Sequence, residues 1–64
     1  MEREKINQLL EELKERTVIQ ISITKSDFSS FREVLVQRED FKHFRGIAQR
    51  DGHVIYEYLD EARS

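Results

Sequence analysis

The sequence predicts a small single α+β domain over residues 1–64, with the order helix, strand, helix, strand, strand. Two helices are expected to pack on a three-stranded antiparallel or mixed sheet. Three observations predict this: leucines at helical spacing near the start, an isoleucine alternation after them, and an Asp-Gly turn between two β-prone runs.

Residues 2–15 read as an amphipathic helix. Ile6, Leu9, Leu10 and Leu13 form one apolar stripe, and Glu, Lys, Arg, Asn and Gln fill the other face. Glu12 and Arg16 stand four apart in the favourable order. The stripe covers fewer than two heptads, and an isolated helix of that length is marginal in water. It therefore has to dock on the isoleucine strand or on a second subunit, and these four residues are the candidates for packing or self-association.

Residues 17–24 read as a strand. Ile19, Ile21 and Ile23 alternate with Gln20, Ser22 and Thr24, giving one apolar and one polar face. Thr24-Lys25-Ser26-Asp27 then matches a capping box. Phe28, Phe31, Val34 and Leu35 continue at helical spacing, so a helix is expected from about Ser26 to Gln37. Its end has two readings. Either Glu39-Asp40 caps a short second turn through Phe41 and Phe44, or one helix runs on to Arg45 with Gly46 as its C-terminal cap.

Asp51-Gly52 reads as a two-residue hairpin turn, pairing Gln49 with Val54, Ala48 with Ile55 and Ile47 with Tyr56. One face would then carry Ala48, Ile55 and Leu59, and the other Ile47, Val54, Tyr56 and Tyr58. Val54, Ile55, Tyr58, Leu59 and Ala62 also fit a helix, so residues 50–64 keep a helical alternative. In the hairpin reading, two short helices leave part of the sheet uncovered. Tyr56 and Tyr58 then become candidates for a partner surface, because Tyr is enriched at interfaces. The ordinary alternative is that they cap the core with their hydroxyls in water.

The chain has 64 residues, no cysteine, no proline and two glycines. A chain this short buries only about 60% of its unfolded surface, and small domains usually add a disulfide, a metal or a second subunit. Without cysteine, and with only His43 and His53 as further ligands, homo-oligomerisation is the expected staple. No apolar run reaches signal-peptide or membrane-spanning length, which leads us to expect a soluble, cytoplasmic protein.

Charge is uneven. Residues 25–50 carry six bases against four acids, and residues 51–64 carry four acids against one base. This falls short of the basic bias of typical nucleic-acid domains. The first helix carries Glu2, Glu4, Glu11, Glu12 and Glu15, which anionic lipid would repel, so no membrane role is expected.

Catalytic motifs are missing from the sequence: there is no Gly-rich phosphate loop, no HExxH pair and no GxSxG elbow. Asp40 with His43, or Asp51 with His53, would supply a carboxylate beside an imidazole, but such pairs arise readily in a charge-rich chain. No catalytic, cofactor or metal residue is assigned.

The strand-then-helix segment over residues 17–37 resembles ribbon-helix-helix repressors. The resemblance implies that Gln20, Ser22 and Thr24 read base edges and that Lys25 touches phosphate. A preceding helix and the lack of Arg or Lys among the readers depart from that pattern. The leading expectation is a non-enzymatic interaction or regulatory protein that binds another macromolecule, as a homodimer. Its partner surface is drawn from Tyr56, Tyr58, Gln20, Ser22 and Thr24, a protein partner is favoured, and DNA is the alternative.

Overall fold

The computed structural model describes residues 1–62; positions 63 and 64 of the predicted domain lie outside the described residues. The elements follow the predicted order. They are α1 (Arg3–Lys14), β1 (Ile21–Ile23), α2 (Lys25–Val36), a 3-10 turn (Phe41–His43), β2 (Phe44–Ala48) and β3 (Val54–Tyr58). The sheet is antiparallel, with strand order β1-β3-β2. The hairpin reading of the C-terminal segment holds over the helical one.

α1 forms where the stripe predicted it and spends that stripe inside its own chain. Ile6, Leu10 and Leu13 are buried, and Leu9 packs at the margin of the same cluster. Phe31, Val34 and Leu35 of α2 join them over Ile23, Phe44 and Tyr56 of the sheet. Fully burying a Leu, Ile or Phe side chain is worth about 1.5–3 kcal/mol, so this one cluster supplies the main drive to fold.

The strand predicted over 17–24 shrinks to Ile21–Ile23, and the cause is the end of α1. Arg16 takes a left-handed conformation with φ 63°. Its N–H donates to Leu13 O at 3.1 Å, and Thr17 N–H donates to Glu12 O at 2.9 Å. That is a Schellman ending with Arg where Gly is usual. The turn consumes residues that the alternation had assigned to the strand. Ile19, expected on the apolar face, is 86% exposed as a result.

Thr24 caps α2 as expected. Asp27 N–H donates to Thr24 Oγ1 at 3.3 Å, and Thr24 Oγ1 donates to Asp27 Oδ2 at 3.1 Å. Beyond α2, the short-second-turn reading is nearer than the long helix. Phe41–His43 form one 3-10 turn, and Phe44 already begins β2. Asp40 caps this turn only by position, because its carboxylate is taken by Arg38.

The hairpin register differs by one residue from the expected one. Ala48 faces Val54, Ile47 faces Ile55 and Gly46 faces Tyr56. A two-residue type I′ loop needs positive φ at both central positions. Here only Gly52 has it, at φ 93°. Gly52 N–H donates to Gln49 O at 3.2 Å, and Gln49 N–H donates to His53 O at 2.8 Å. The loop is thus three residues, Arg50–Gly52, a tight turn closed by a left-handed glycine. A one-residue slip exchanges the faces of a strand. Ile47 therefore leaves the tyrosine face and joins Ile55 on the opposite one, while Ala48 makes the reverse move.

Candidate interaction surfaces

Both helices cover the same sheet face. Ile21, Ile23, Val54, Tyr56, Tyr58 and Phe44 point to it, and all belong to the core cluster or its margin. Tyr56 is 5% exposed, with its ring 4.7 Å from that of Phe31. Phe44 meets Tyr58 edge-on at 5.1 Å, and His43 stacks on Tyr58 at 5.3 Å. The tyrosines expected at a partner surface therefore serve chiefly as core and core margin.

Strand alternation sends Arg45, Ile47, Ile55, Glu57 and Ser22 to the other face. No helix among the described residues covers it. Ile47 is 36% exposed and Ile55 half-buried. A bare face was expected, but with tyrosines on it; the helices cover the tyrosine face, and the bare face carries Ile55, joined by Ile47 through the register shift. Of the polar strand residues, Ser22 lies on this face and is exposed. Thr24 has its hydroxyl committed to the α2 cap, and Gln20 stands exposed just ahead of β1.

The β2 strand forms one open edge of the sheet. The Gln49–His53 and Leu59–His43 backbone bonds fix the phase of the β2–β3 ladder. Antiparallel pairs alternate, so Arg45 and Ile47 turn their N–H and C=O toward β3. Phe44, Gly46 and Ala48 turn theirs outward. The Phe44 N–H is taken by Phe41 O, which leaves the Gly46 and Ala48 groups along the edge.

Beside this edge runs a groove of about 230 Å³ between α2 and β2, lined by Leu35, Val36, Phe41, Gly46 and Tyr56, with Arg32 at its rim. Arg32 is exposed and has no ion-pair partner among the described residues. Gly46 keeps the groove open. A Cβ there would lie 3.0 Å from Tyr56 Cε1 and 3.3 Å from Val54 Cγ1.

Arg38 is the best-connected polar side chain, and sequence reading counted it only as one of the bases. Its Nε donates to Asp40 Oδ1 at 2.9 Å, Nη1 to Asn7 Oδ1 at 3.2 Å and Nη2 to Glu11 Oε1 at 2.7 Å. The guanidinium also lies 5.9 Å from the Phe44 ring centroid. It ties α1 to the segment that leads into β2. The hydrogen bond from Arg38 holds the Asp40 carboxyl below the usual carboxylate range, and partial burial opposes the shift. The spacing of Arg38 and Asp40 was the only signal of this in the sequence, and it does not reveal Asn7 and Glu11.

The histidines stay apart in role. His43 Nδ1 and Leu59 O are 2.9 Å apart, with the ring pinned against Tyr58. His53 Nδ1 sits 3.1 Å from Asp51 Oδ1 without hydrogen-bond alignment. Asp51 accepts the His53 backbone N–H at 3.0 Å, and that bond lowers its carboxyl pKa. No group of metal-ligating side chains gathers among the described residues. Among the same residues, no helix is long and apolar enough to cross a membrane.

A family model described as YkzS-like protein matches residues 3–57, and the chain belongs to that family. No curated protein and no solved structure matches.

Proposed function

We propose that this member of the YkzS-like family is a non-enzymatic, self-associating binding protein of the cytoplasm. It acts by taking an extended segment of a partner protein as a fourth strand beside β2. The observation that carries the reading is the edge itself: outward Gly46 and Ala48 backbone groups lie alongside a groove whose walls combine the apolar side chains of Leu35, Val36 and Phe41 with polar surface at Arg32. Main-chain bonds along such an edge supply affinity, and a pocket for alternate side chains supplies selectivity. The groove has room for one apolar side chain of the partner. Arg32 at the rim, without a partner of its own, favours a carboxylate next to it.

The expected ligand is thus an extended peptide with a large apolar residue flanked by Asp or Glu. Selection from a random-peptide display library tests this. Enrichment of such sequences, lost on Arg32→Glu, supports the reading. Enrichment that Arg32→Glu leaves unchanged, or no enrichment, overturns it. Binding to duplex DNA that weakens steeply with salt would favour the nucleic-acid alternative.

A further inference from the structure

We propose that the bare sheet face is a homodimer interface with a two-fold axis running along the strands, midway between β2 and β3. This deepens the self-association part of the reading above, while peptide capture at the β2 edge stands or falls separately.

The register carries the argument. Arg45 lies opposite Glu57, and Ile47 opposite Ile55, so each pair occupies one height on the sheet. An axis parallel to the strands and between them exchanges the two strand positions and preserves height. It lays Arg45 of one copy over Glu57 of the second copy, and Ile47 over Ile55, each twice. The face is self-complementary in charge and in apolar surface, as an isologous interface requires.

Sheets packed face to face stand about 10 Å apart, a gap that long side chains such as Arg and Glu bridge around central isoleucines. Within one chain, Arg45 Nη1 is 3.9 Å from Glu57 Oε1, and the Arg45 side chain is 57% exposed. The guanidinium therefore retains donors for a second carboxylate. The footprint is limited. At about 4.8 Å between strands and about 3.4 Å per residue it is on the order of a few hundred Å². A standard interface buries about 800 Å² per partner. The dimer is accordingly weak and concentration-dependent.

Sedimentation equilibrium of the full chain, from micromolar to millimolar concentration, tests this with a charge exchange. The wild type moves from monomer toward dimer mass. Arg45→Glu alone and Glu57→Arg alone each set like charges over one another, and each weakens association at least about tenfold. An equimolar mixture of the two variants returns to dimer mass, because every like pair across the interface becomes an opposite pair. Recovery in the mixture also shows that both variants are folded. A wild type that stays monomeric at millimolar concentration overturns the proposal. So do single variants that associate like the wild type, or a mixture no heavier than its components.

Discussion

At Gly46 the backbone of β2 passes against the Tyr56 ring, and that ring is braced from behind by Phe31. An added methyl has no soft neighbour to displace. Gly46→Ala is expected to cost about 1–3 kcal/mol, the usual range for overpacking, in urea unfolding. Arg16 poses the opposite case, a side chain where glycine suits the backbone. Arg16→Gly relieves roughly 1 kcal/mol of left-handed strain and gives up an exposed pair with Asp60 worth up to about 1 kcal/mol. It should leave stability level or slightly higher, whereas Arg16→Val, a β-branched residue at positive φ, should lower it by about 1–2 kcal/mol.

Arg38 shows how one side chain can hold two segments. Arg38→Ala leaves Asp40, whose side chain is 18% exposed, without its main donor. A loss of roughly 1–3 kcal/mol is expected for such a stranded group. The pH dependence follows from the lowered Asp40 pKa. Because the folded value lies below the unfolded one, the stabilisation is full above about pH 4–5 and fades as pH falls through the folded value. Wild type and Arg38→Ala should therefore differ most near neutrality and converge in acid. A constant difference down to strongly acidic pH would contradict the Asp40 assignment.

At the scale of elements, the β2 edge makes the sharpest prediction. Amide hydrogen exchange should alternate along the strand, with Arg45 and Ile47 protected by β3 and Gly46 and Ala48 exchanging fast. The reverse pattern would mean the register first read from the sequence. Thr24→Ala should cost about 1 kcal/mol through the lost α2 cap. Element types and their order were legible because α1, α2 and the hairpin each carry a local signal: a 3.6-residue stripe, a capping box and a Gly turn. The Arg50–Gly52 loop is not legible because Asp-Gly serves both two- and three-residue hairpins; here Asp51 lacks the positive φ that the two-residue type I′ loop needs, and Arg50 joins the loop. The length of β1 was illegible for a related reason. Nothing in Glu15-Arg16-Thr17 announces a left-handed arginine. The first error exchanged Ile47 and Ala48 between faces, and the second removed Ile19 from the strand; which face the helices cover is set by packing that no local signal carries.

At the scale of the whole molecule, the two helices suffice for one face of the sheet and no more. The leucine stripe, expected to dock on the isoleucine strand or on a second subunit, is satisfied by α2 and the sheet. The unsatisfied surface lies elsewhere, on the Ile47–Ile55 face and along the β2 edge. Neither could be placed from sequence, since both depend on strand order and register. The partner-binding account rests most directly on that edge. Titrating isotope-labelled protein with an apolar-acidic peptide from the display selection, and following backbone amide resonances, puts it to the test. The account predicts the largest shifts at Gly46 and Ala48, together with slowed exchange of both amides. Shifts centred on Ile21–Ile23, or on the Ile47–Ile55 face with Gly46 and Ala48 unmoved, would contradict it.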